Sequence, residues 1–163
     1  MSWDELVGQQ PAKQYLRAVL STGRLAHAFF FKGAAGVGKR TAARLFARAL
    51  LCEQPKDGEA CGQCRGCRRC DAGKHPDLIP LKKVAESGME AGEVGDHEQI
   101  IRLGTIQYVC EQLHRSPMAG GRRVVIIPEA QRFCRGQAEA ANAFLKTLEE
   151  PPPSAAIILT SSQ

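Results

Sequence analysis

Apolar residues recur along this chain in two rhythms, as short unbroken runs and as stripes three to four positions apart. The runs are Ala28 to Phe31, Leu78 to Leu81, Val124 to Ile127 and Ala156 to Thr160, and each predicts a buried strand. The stripes predict helices. Pro11 opens one in which Ala12, Tyr15, Leu16, Val19 and Leu20 share a face, and Gly23 ends it. From Lys39 to about Leu51 a second places Ala42, Leu45, Phe46, Ala49 and Leu50 inward, with Arg40, Arg44 and Arg48 on its outer face as a basic stripe. A solvated role suits Arg44 and Arg48. Thr105 is placed to cap a third helix that buries Ile106, Val109, Cys110 and Leu113. A fourth spans Gln137 to Glu149 and is stopped by Pro151-Pro152-Pro153. Residues 83 to 98 hold Gly88, Gly92, Gly95 and five acidic residues, which predicts an exposed mobile loop. Strands alternating with helices predict an α/β fold, a parallel sheet covered on both faces.

Composition narrows this only a little. A chain of 163 residues suits one domain, and 44% hydrophobic with 24% charged residues is ordinary for a globular protein. No apolar run approaches the roughly 20 residues that span a bilayer. The start, MSWDELVGQQ, lacks the basic and apolar regions of a secretory signal, so a cytoplasmic location is expected. The net charge of +5 permits contact with nucleic acid but does not argue for it, because the basic residues are scattered. Seven cysteines are many, and five fall between Cys52 and Cys70.

Residues 33 to 40, GAAGVGKR, follow one strand and open one helix, as a phosphate-binding loop does. Gly33, Gly36 and Gly38 permit the backbone path that aims N–H groups at phosphates, and Lys39 would reach the terminal ones. The next position should carry Ser or Thr, whose hydroxyl holds Mg²⁺. It carries Arg40, whose guanidinium has no lone pair to offer. Thr41 comes one residue late, about 100° round the helix. The second Mg²⁺ contact normally comes from an Asp at the end of a neighbouring strand, where VVIIPEA has Pro128. Glu129, in the place of the residue that orients the attacking water, is retained. Both metal contacts are lost together, which argues against hydrolysis. The lysine and the loop amides are what weak, Mg²⁺-independent nucleotide binding would need.

LVGQQPAKQYL, GRLAHAFFFKGAAGVGK, CGQCRGC, AGKHPD and NAFLKTLEEPP occur in the order found in bacterial clamp-loader ATPase subunits. Over roughly Leu6 to Ser162 the chain resembles the AAA+ family of the DNA polymerase III clamp loader, and within it the delta-prime type. The resemblance implies a P-loop NTPase-like sheet with strand order 5-1-4-3-2. It also implies partners, the gamma/tau and delta subunits in a five-subunit ring that places the sliding clamp on primed DNA. Gamma and tau are the motors and keep the hydroxyl and the Asp; Arg40 and Pro128 favour delta-prime. The family's Ser-Arg-Cys element does not occur in these 163 residues. The expectation is of one truncated domain, 1 to 163, with lid, collar and fifth strand outside it and the first strand left with an unpaired side.

Cys52, Cys61, Cys64 and Cys67 have the family's zinc spacing, in an insertion of about residues 52 to 70. Four thiolates suit tetrahedral Zn²⁺ with no position left for water, hence a structural role. Arg65, Arg68 and Arg69 stand near enough to offset its negative charge, and Cys70 is a fifth candidate ligand. An iron–sulfur site is the competing metal reading, and a disulfide set does not suit a reducing compartment. Cys110 and Cys134 are isolated, and His27, His75, His97 and His114 show no ligand spacing. Two rival functions stand beside the non-catalytic subunit. One is a divergent motor of the gamma/tau type, and the other is a zinc-stabilised interaction module outside replication.

Overall fold

The computed structural model describes residues 2–79, 81–84, 90–93, 103–119, 121–131 and 138–162. After a short 3₁₀ turn, η1 (Trp3–Glu5), come α1 (Gln10–Thr22), β1 (Ala28–Lys32), α2 (Lys39–Leu50) and α3 (Arg65–Asp71). Then follow β2 (Leu78–Ile79), β3 (Lys82–Val84), β4 (Glu90–Glu93), α4 (Leu103–His114), β5 (Arg123–Ile127), α5 (Ala138–Glu149) and β6 (Ala155–Ser161). Four strands form a parallel sheet in the order β1-β6-β5-β2. These are the four expected strands in the expected arrangement, 1-4-3-2. Among the described residues β1 has a strand neighbour on one side only.

Alternation along the strands feeds two cores, one on each face of the sheet. Val124, Ala156, Ile158 and Phe29 pack with α2, Leu16 of α1 and Trp3. Val125, Ile127, Ala155 and Ile157 pack with Ile106, Val109 and Leu113 of α4 and Phe144 of α5. Phe46 lies at the centre of the first core, its ring 4.6 Å from that of Phe29 and edge-on to it.

Several expectations need correction. Tyr15 and Ala12 are exposed, because the part of α1 that carries them borders an open cleft rather than a packed layer. Arg48 is buried, not solvated: its guanidinium makes a two-pronged pair with Asp71 of α3, Nε to Oδ1 and Nη2 to Oδ2 both at 2.9 Å. Thr105 lies inside α4 and is buried, since Leu103, one turn before Ile106, already extends the packed face. The expected loop at 83 to 98 contains instead the antiparallel pair β3–β4, with Lys82 opposite Glu93. Gly88, Gly95, His97 and Cys134 lie outside the described residues.

The turn before β5 is held by a fully buried carboxylate. Asp77 accepts the N–H of Met118 at 2.7 Å through Oδ1 and that of Ala119 at 2.8 Å through Oδ2. The Arg123 guanidinium stands 4.0 Å away.

Candidate functional site

The loop between β1 and α2 sits at the carboxyl ends of the parallel strands, where sheets of this kind bind ligands. Gly36 and Gly38 have φ of 80° and 91°, a backbone region that side chains strain to enter. Gly33 donates its N–H to the Ser161 carbonyl at 3.3 Å, which moors the loop to the end of β6. Gly38 is the N-cap of α2, and its carbonyl accepts the first helical hydrogen bond from Ala42 at 2.8 Å. The Lys39 ammonium turns back and donates to the carbonyls of Gly33, at 3.0 Å, and Ala34, at 2.8 Å. Arg40 is exposed in the first turn of α2, and Thr41 beside it is half-buried. A cleft of about 410 Å³ opens next to this loop, walled by Leu6, Tyr15, Phe30, Val37 and Lys39.

Pro128 follows β5 directly and is half-buried. Glu129 has a φ of 51° and donates its N–H to Thr160 Oγ1 at 3.2 Å. Its carboxylate accepts from Ser162 Oγ at 2.7 Å and from the Gln131 side-chain amide. Gln131 in turn accepts from Ser161 Oγ at 2.8 Å through its carbonyl oxygen. Sequence reasoning singled out Glu129 but missed Gln131 and the hydroxyls of Thr160, Ser161 and Ser162. Three hydroxyl residues in a row, closing a strand that runs toward the glycine loop, were the available signal.

The cysteine cluster is built where α2 ends. The sulfurs of Cys52, Cys61, Cys64 and Cys67 all lie within 4.8 Å of one another, with Cys52 to Cys64 at 3.8 Å and Cys61 to Cys67 at 4.0 Å. Corners of a tetrahedron about 2.3 Å from a central metal are about 3.8 Å apart, so the four sulfurs fit one four-coordinate ion. Backbone N–H groups point at three of them: Cys61 to Cys52 Sγ at 3.2 Å, Cys64 to Cys61 Sγ at 3.3 Å and Cys67 to Cys64 Sγ at 3.3 Å. Such donors favour thiolate. Burial opposes ionisation of Cys64, but the N–H groups of Cys67 and Glu53 prevail and bring it down to about 6. Burial raises Cys52 and Cys67. Cys70 stands apart from the four; it packs against the core, and burial pushes its thiol up to about 12. Arg65 pairs with Glu53 at 3.5 Å and Arg68 donates to the Gln63 carbonyl at 3.0 Å. Gly66 lets α3 close on the end of α2, since a Cβ there would lie 2.4 Å from the Leu51 carbonyl oxygen.

Comparison with known proteins agrees with this architecture. The family described as "DNA polymerase III, delta subunit" matches residues 8–163. The delta-prime subunit of DNA polymerase III from Pseudomonas aeruginosa is 36% identical over 138 residues, covering 85% of this chain and 38% of that protein. The tau subunit from Escherichia coli is 34% identical over 158 residues, 97% of this chain and 22% of its own length. The delta-prime subunit from Bacillus subtilis is 32% identical over 164 residues, 100% of this chain and 45% of that protein. The chain thus spans less than half the length of these relatives. A gamma subunit-related protein from Thermotoga maritima shares the fold, with a TM-score of 0.59 at 20% identity over 91% of this chain and 38% of that one. Matched over residues 8–163, the chain belongs to the family described as DNA polymerase III, delta subunit.

Proposed function

We propose that these residues form a single AAA+ domain, with an inserted metal module at about 52 to 70, in a non-catalytic delta-prime-type subunit. It works with gamma/tau and delta subunits in a five-membered ring that loads the sliding clamp on primed DNA. The observation that carries the reading is the state of the two metal contacts. Arg40 stands where the Mg²⁺ hydroxyl belongs and Pro128 where the Asp belongs. The Glu129 carboxylate accepts hydrogen bonds from Ser162 and Gln131. Phosphoryl transfer relies on the metal to gather charge in the transition state, so losing both contacts removes hydrolysis. The loop amides, Lys39 and the adjoining cleft support weak nucleotide binding without turnover.

Cys52, Cys61, Cys64 and Cys67 are the proposed ligands of a structural Zn²⁺, which when bound would cross-link the end of α2 to α3. A second reading, a divergent motor, is favoured by the tau relatives and the retained Lys39 and Glu129. An assay of Mg²⁺-dependent ATP hydrolysis by the purified chain separates the two. The non-catalytic reading expects background turnover, and still background for Arg40→Thr, because the Asp side stays empty. Steady turnover by the wild-type chain would establish the motor instead.

A further inference from the structure

The cysteine cluster and the phosphate loop lie at opposite ends of α2, and a second connection between them runs outside that helix. It starts in residues 53 to 60, between Cys52 and Cys61. Lys56 and Glu59 exchange two backbone hydrogen bonds, of 3.0 and 2.8 Å, around Asp57 and Gly58. With φ of 52° and 73° at those two residues, this is a two-residue hairpin turn of the primed type that Asp-Gly favours.

The turn is pressed against the N-terminal part of the chain. Trp3 donates its indole N–H to the Gly58 carbonyl at 3.0 Å. Arg17 donates to the Asp57 carbonyl at 3.3 Å and pairs with Glu59 at 3.3 Å. A Cβ on Gly58 would lie 2.4 Å from the Arg17 carbonyl oxygen, so only glycine permits this approach. From Trp3 the connection crosses one 3₁₀ turn, with Leu6 N–H donating to the Trp3 carbonyl at 3.2 Å. Ser2 and Glu5 cap that turn reciprocally. Leu6 then covers the phosphate loop: its Cδ1 occupies the space 2.4 Å from where a Cβ of Gly38 would be. Trp3 and Leu6 are both buried, and α2 has no side-chain cap at Gly38, where Leu6 packs.

We infer that the Asp57-Gly58 hairpin, Trp3 and Leu6 form a strut through which metal at the four cysteines orders the phosphate loop. The inference rests on the metal reading proposed above. Cys52 and Cys61 bracket the hairpin, so a metal held by both fixes its two ends. Without that link the hairpin loses its anchors, Trp3 loses a fixed acceptor and Leu6 loses its seat on Gly38. Trp3 and Leu6 are positioning residues that act through the loop.

The chain has one tryptophan, so its emission reports on the middle of the strut. The 163-residue chain is loaded with Zn²⁺, its metal content measured, and the metal then stripped by a chelator with reductant present. Stripping should shift the emission to the red and make the Ala42 amide, which is hydrogen-bonded to the Gly38 carbonyl at the end of the loop, exchange about tenfold faster or more, while β5 amides stay protected. Adding Zn²⁺ back should reverse both. In Leu6→Ala the emission should still respond to Zn²⁺, but the Ala42 amide should exchange fast with or without it. Loss of metal with unchanged emission and unchanged Ala42 exchange would overturn the strut and leave the metal reading intact. So would a Leu6→Ala chain whose Ala42 amide still responds to Zn²⁺. Failure to bind Zn²⁺ at all would remove the metal reading, and the strut with it.

Discussion

Asp77 and His75 show how much of this fold hangs on single buried polar groups. Asp77 is fully buried and satisfies two backbone N–H groups at once, beside the Arg123 guanidinium. Asp77→Ala would orphan both donors and leave a buried cation, a loss of about 3–5 kcal/mol that urea denaturation would read. His75 accepts the Asp77 N–H on Nδ1 at 3.1 Å, so the folded state needs that nitrogen unprotonated. Burial lowers its pKa below the ordinary value of 6.5, with the Asp77 charge opposing. The unfolded chain therefore takes up the proton first as pH falls. Stability from this group is complete above about pH 7 and declines as pH drops through 6.5 toward the lower folded value. His75→Gln should flatten that limb of the stability–pH curve; an unchanged limb would assign it to other groups.

Among the elements, β1 carries three consecutive phenylalanines with three different surroundings. Phe29 is buried edge-on against Phe46, Phe31 is half-buried near the same ring, and Phe30 is 57% exposed. Phe29→Ala should cost about 3–5 kcal/mol, and Phe30→Ala under about 1 kcal/mol, when thermal or chemical unfolding is compared. Equal losses would mean that Phe30 is covered in solution. The strands and the packed stripes of α2, α4 and α5 were legible because burial on both faces writes long apolar runs and helical periods. Elements stabilised by other means were not. The β3–β4 pair is too short and polar to leave a period, and the buried Arg48 depended on Asp71 arriving from a different helix. The glycine loop and the four cysteines were readable as spacing, whereas the hydroxyl network around Glu129 unites residues some thirty positions apart. The Asp57-Gly58 turn was written in two letters but had no flanking apolar alternation to draw attention to it.

At the scale of the whole molecule, the order of the sheet conflicts with the order of synthesis. β6 lies between β1 and β5 and contributes inward-facing residues to both cores, yet it follows every other described element in the chain. While the protein is being made, β1 emerges early with its phenylalanines and, among the described strands, has none to pair with until Ala155–Ser161 have cleared the ribosome. Contacts this distant along the chain are slow to form, and exposed strands invite association in the interval. A nascent chain halted at residue 150 should be protease-sensitive throughout, and one extended past Ser161 with a tether should become resistant in a single step. Gradual resistance, beginning before β6 is out, would show that β1 finds provisional shelter elsewhere. The strand at the heart of the sheet is thus a late key, and until it turns the growing chain carries the kind of exposed strand that chaperones shelter.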